Sequence, residues 1–411
     1  MLISSSTRNY FRAIGMSLIL LGSPLGMYMN FFISQSSWSN IIMTLGVLLI
    51  IDYENLARFR FPSFSKMYIT LIFYQIVCLF YYGFATFVSV KYLSFHLFSI
   101  ALFIALLTTR FKESFSVEHI NKIIWGISFI CSLLFLFTLE TGIFELQRAD
   151  EDRILDPITM ASMTVTNILS SIMMNPKKQW ANYLMIGAVL LDLYCMIHTG
   201  KRTFLFISII ALIAYVWKYN LWRKVFTLRN AILTAILIAA FITIFIKNRE
   251  VNQVFTSIIE RFFDGIDDMR HGTTKSGDSA IARYIQMNDI KTYIFSQFSW
   301  LNFFIGAGYM RIPSDLPWIQ CYFDMGIFGF YIFWKYVVIM PIITFFKVSR
   351  MNKDVLFASF ICFPTIFQIF NAGTPYFYKN WTAAAFLIFV LVNIRNKNIQ
   401  HKKLAKMQRV G

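Results

Sequence analysis

The stretch HTGKRT sets Lys201 and Arg202 side by side between two long apolar runs. Cations in such a place either snorkel to lipid phosphates or hold another anion at the membrane surface. Arg283, in IARYIQMNDIKTYIF, and Arg311, in IGAGYMRIPSD, bring the same charge farther along the chain. Asp315 adds a carboxylate just ahead of Pro317, where it can cap a helix or take a proton from a hydroxyl. The histidines at 96, 119, 198, 271 and 401 are scattered, and Cys78, Cys131, Cys195, Cys321 and Cys362 lie in apolar runs without CxxC spacing. Neither a metal site nor a disulfide framework is expected from them, and no cofactor is called for.

The elements that must position these residues are membrane helices. The chain of 411 residues is 57% hydrophobic, 18% aromatic and only 14% charged. That is more apolar surface than one soluble core can bury. Apolar runs near 13–32, 38–52, 67–89, 92–109, 121–139, 157–174, 181–198, 203–219, 230–246, 318–340, 354–370 and 381–394 predict an all-α integral membrane protein of twelve spans. The first run follows Arg8 and Arg12 as a signal peptide would. It is too long for one, and no small-residue cleavage site follows, so a retained first helix is expected.

Charge gives the orientation. The segments carrying Arg8 and Arg12, Arg58 to Lys66, Arg110 to Lys122, Lys177 and Lys178, Lys218 to Arg229, Lys347 to Lys353 and Arg395 to Arg409 hold nearly all the excess of cations. By the positive-inside rule those segments and both termini face the cytoplasm. The net charge of +17 is then a topology signal, and no nucleic-acid partner is needed to explain it. It also places Lys201 and Arg202 on the outer face, where short loops avoid cations.

One connection is long, 247–317, between the ninth and tenth spans, and it also faces outward. VNQVFTSIIERFFDGIDDM and IARYIQMNDIKTYIF are amphipathic pieces suited to the membrane surface, separated by the flexible HGTTKSGDS. The span that follows contains Gly326 and Gly329, spaced for close approach of another helix. Asp324 and Asp192 read as carboxylates paired inside the bundle, with Lys335 one partner for Asp324.

Together these pieces resemble the Wzy polymerase and O-antigen ligase superfamily of bacterial surface-polysaccharide enzymes. GKRT at 200–203, DSAIARY with Arg283, GAG at 306–308, and then Asp315, Trp318, Asp324, Gly326 and Gly329 follow the order of that family's motifs. DEDRILDPITMAS, with Arg153 entering the sixth span, is similar to its Arg-plus-Pro-Asn entry, with Ile158 where Asn is usual. Ligases of the family usually carry His at the position of Asp315, so the polymerase is favoured.

The resemblance implies a glycosyltransferase of the bacterial inner (cytoplasmic) membrane that works without a metal. It would join oligosaccharide repeat units carried on undecaprenyl diphosphate into O-antigen, capsule or exopolysaccharide, beside a flippase and a chain-length regulator. Arg202, Arg283 and Arg311, aided by Lys201 and Arg153, would grip the diphosphate, since arginine is always charged and binds phosphate oxygens bidentately. Asp315 would activate the acceptor hydroxyl, and Trp318, with Trp300 and Tyr309, would stack on sugars. A ligase is the nearest alternative. A transporter such as a flippase would use outward cations too, but no internal repeat marks the two halves. A nucleotide-sugar transferase would need a cytoplasmic domain that no inner loop is long enough to form.

Overall fold

The computed structural model describes residues 5–33, 37–85, 90–109, 117–143, 157–174, 178–199, 202–220, 278–370 and 373–407, with isolated positions between 256 and 271. The order is α1 (Ser5–Phe32), α2 (Trp38–Ile50), α3 (Tyr53–Ala57), α4 (Lys66–Gly83), α5 (Val90–Thr108), α6 (Val117–Glu140), α7 (Pro157–Met173), α8 (Gln179–Thr199) and α9 (Arg202–Lys218). After the gap come α10 (Asp278–Gln297), α11 (Trp300–Ile305), α12 (Pro317–Trp334), a π-helical turn (Lys335–Ile339), α13 (Met340–Lys347), α14 (Lys353–Ile361), α15 (Phe363–Gln368) and α16 (Tyr378–Met407). No strand occurs among the described residues.

Among the described residues, six stretches are long and apolar enough to cross a bilayer: Thr7–Phe32, Lys66–Gly83, Val90–Thr108, Val117–Glu140, Trp180–Thr199 and Pro317–Lys347. Three shorter apolar helices, Trp38–Ile50, Phe204–Lys218 and Tyr378–Ile394, accompany them. These are the helices of a multi-pass membrane protein.

The spans are less uniform than the apolar runs predict. The run 354–370 is two short helices, broken at Cys362 ahead of Pro364, whose missing N–H cannot continue the ladder. The π turn before Pro341 has the same origin: the Met340 N–H reaches back five residues to the Lys335 carbonyl. Helix α7, the predicted sixth span, has a buried face that carries Thr159, Thr164, Asn167, Ser170 and Ser171 and so belongs to the bundle interior. Such breaks and polar faces are tolerated at membrane depth where protein covers them. The predicted ninth span, 230–246, lies outside the described residues, as does most of the first amphipathic piece; the second is α10.

At one end, Arg12 pairs with Asp52 at 2.6 Å, the Asn55 amide donates to the Thr108 carbonyl at 2.9 Å, and Ser63 bonds Thr109. Helix α5 runs from there to the opposite end, where Tyr92 and Phe95 meet Tyr309 and Phe377. The second end carries the candidate site and is called the rim below.

Candidate functional site

The site is built on an interruption of α12. Gly326 has φ 63° and ψ −165°, a conformation that releases the carbonyls ahead of it from the helix ladder. Those carbonyls find partners in the GAG turn: the Ala307 N–H donates to Phe323 O at 2.7 Å and the Gly308 N–H to Asp324 O at 3.3 Å. The contact is backbone against backbone. A Cβ on Gly306 would lie 2.1 Å from Asp324 O, and one on Gly326 would lie 2.3 Å from the Phe304 carbonyl carbon. The two glycine motifs are therefore halves of one brace that fixes the end of the long loop to the bundle.

Asp324 sits beneath this brace and is fully buried. Its carboxylate accepts from Gln320 Nε2 at 2.6 Å, from the Tyr376 hydroxyl at 2.7 Å and from the Met310 N–H at 3.0 Å. Lys335 takes no part, contrary to expectation; its ammonium lies over the rings of Tyr331 and Tyr336. Asp324 finds local donors, and so has no need of the distant cation. Tyr376 stacks on Tyr309 at 4.2 Å between ring centroids, and the Tyr309 hydroxyl pairs with His96 Nε2 at 2.8 Å. His96 Nδ1 in turn meets Gln75 Oε1 at 2.6 Å. Asp192 is buried in the bundle, as expected, with Ser132 donating to one oxygen.

At the rim the loop residues gather. Arg311 is exposed, its guanidinium 5.1 Å from the centroid of the Tyr293 ring on α10. Asp315 is also exposed, and its own N–H donates to Gln286 Oε1 on α10 at 3.0 Å. The residue before α12 is Leu316, and no side chain caps that helix, so Asp315 is not a helix cap. One turn before Gln286, Arg283 lies within electrostatic reach of Asp315. Burial lowers the Arg283 pKa, and the Asp315 charge partly offsets that. Among the described residues its buried Nε has no hydrogen-bond partner. Trp318 packs near Phe370, with centroids 6.5 Å apart.

Two sequence-predicted residues, Arg283 and Asp315, thus approach one another at the rim, and Arg311 stands farther along α10 beside Tyr293, roughly 15 Å from Arg283 along the helix. Arg202 is the first residue of α9; its side chain, like all of Lys201 and Arg153, lies outside the described set. Two further cations were not anticipated. Lys91 and Lys379 lie 6.0 and 5.1 Å from the Phe377 ring, and Lys91 adjoins Tyr92, which stands within electrostatic reach of Asp315. On the topology expected from charge, both stand at outward ends of predicted spans, the same inversion of the inside rule that singled out Lys201 and Arg202. Such a rim can hold a multiply charged anion against several cations while leaving one carboxylate free to act on a neighbouring hydroxyl. No protein family matches the chain, and no curated protein is similar enough to count as a relative.

Proposed function

We propose that the protein polymerises glycan repeat units carried on undecaprenyl diphosphate at the outer face of a bacterial cytoplasmic membrane. The observation that carries this reading is the approach of Arg283, whose buried Nε has no partner among the described residues, to the exposed Asp315, at the end of the bundle where Arg311 also stands. In the reaction, an acceptor hydroxyl oxygen forms a bond to the anomeric carbon of the donor glycan as Asp315 takes its proton. The bond from that carbon to the diphosphate oxygen breaks, and its electron pair leaves on the lipid diphosphate. Arg283 and Arg311 offset the charge that grows there, a task for which fixed cations at a low-dielectric surface are well suited. Arg202, Lys201 and Arg153 are further phosphate ligands on this reading, and Trp318 a sugar platform. A flippase would supply the substrate and a chain-length regulator would act on the product.

A strain lacking the gene tests the assignment. Loss of a polymerase leaves repeat units already outside, so single units are displayed and long chains are absent. Loss of a flippase would strand the units inside and display nothing. Chains of normal length that fail to attach to their anchor would select the ligase.

A further inference from the structure

We propose that Asp324 is a positioning residue: through the Met310 N–H it fixes the turn that aims Arg311 at the ligand. The proposal rests on the reading of Arg311 as a diphosphate ligand, and its test separates the two.

Met310 has φ 49°, a left-handed conformation that a side-chain-bearing residue rarely adopts unless its surroundings hold it there. What holds it is the 3.0 Å hydrogen bond from its N–H to Asp324 Oδ2. Arg311 is the next residue, so the direction of its side chain follows from that turn. It lies over Tyr293 of α10, whose ring also meets Phe323 of α12 with centroids 5.3 Å apart.

The neighbours of Asp324 admit only an acceptor at both oxygens. Gln320 Oε1 is taken by the Ser314 N–H, which leaves its amide nitrogen facing Asp324 as a donor. The Met310 N–H is a donor as well. An asparagine would therefore set its own NH2 against one of these two, and a backbone donor of the loop would lose its partner. Tyr376 completes the mounting. Its ring is held by Tyr309, and through it by His96 and Gln75, so the carboxylate is referenced to α4 and α5 as well as to its own helix.

The test uses the full-length chain in lipid nanodiscs, with hydrogen exchange across residues 306–312 and binding of undecaprenyl diphosphate as the two readouts. In Asp324→Asn the Met310 amide is expected to exchange at least ~10-fold faster than in the wild type, because its buried acceptor is lost or weakened. Arg311→Ala should weaken undecaprenyl diphosphate binding by roughly 10-fold or more, Asp324→Asn should do so comparably, and the double variant should bind no worse than Arg311→Ala alone, since residues acting as one unit are not additive. If Asp324→Asn does not fold, Tyr376→Phe removes one anchor of the carboxylate. It should weaken binding in the wild-type background and leave Arg311→Ala unchanged. Unchanged exchange at Met310, or losses that add in the double variant, would overturn the positioning role. Wild-type protein that binds no undecaprenyl diphosphate would overturn the diphosphate reading of Arg311 and the aiming role with it, whatever the exchange shows of the turn.

Discussion

Gly306 and Gly326 sit at one backbone-to-backbone contact, the first against the Asp324 carbonyl and the second against that of Phe304. Both have positive φ, 83° and 63°. Alanine at either position meets backbone rather than a yielding side chain and is strained as well, a combined cost of at least ~2 kcal/mol. Gly326→Ala and Gly306→Ala should each lower the unfolding temperature in detergent by several degrees and lower the abundance in membranes. Gly126→Ala, where a Cβ would meet nothing within 4 Å, is the control and should do neither.

The continuous span Pro317–Lys347 puts the rim and the α13–α14 turn at opposite ends, and on the proposed topology the rim faces outside. All five native cysteines are buried, so single reporters can be read above a low background. An impermeant thiol reagent should label Asn288→Cys, exposed on α10, in cells with an intact cytoplasmic membrane. Met351→Cys, 84% exposed between α13 and α14, should be labelled only after lysis. The reverse pattern would place Arg283 and Asp315 in the cytoplasm and remove the proposed donor from their reach.

Far from the rim, Asp52 ties α1 to α3: it bonds Arg12 at 2.6 Å, lies 3.9 Å from Arg8 and caps α3 through the Asn55 N–H. Arg12 is only 4% exposed, so Asp52→Ala leaves a buried cation short of its partner, a loss of about 3 kcal/mol. The variant should melt well below the wild type. Its polymer, made at low temperature from matched amounts of protein, should have the wild-type length distribution.

Much of this architecture is legible in the sequence because it is local. Apolar runs mark the helices, and the GAG turn and the Gly326–Gly329 pair stand out as glycine motifs. Their cause is not local: nothing in IGAGYM says that its N–H groups complete a helix broken 20 residues later. Likewise Tyr376 and Asp324 are 52 residues apart, and His96 reaches Tyr309 across 213, so the polar relay is visible only in three dimensions. The pairing of Asp324 with Lys335 failed because closer donors were unknown. Lys91 and Lys379 were missed although they carry the same signature as Lys201, since each sits beside aromatic residues that could equally anchor it at the interface.

The most direct measurement is the chain-length distribution of surface polysaccharide in null cells that express, at equal abundance, the wild type, Arg283→Ala, Arg283→Lys or Asp315→Asn. Loss of a general base or of a fixed cation at a developing charge lowers turnover by roughly 100-fold or more. The wild type should restore long chains, Arg283→Ala and Asp315→Asn should display single units alone, and Arg283→Lys should give a partial, shortened distribution because it keeps the charge and loses the fork. Long chains of wild-type abundance from both Arg283→Ala and Asp315→Asn would contradict the account, for the two residues on which it is built would then take no part in the transfer.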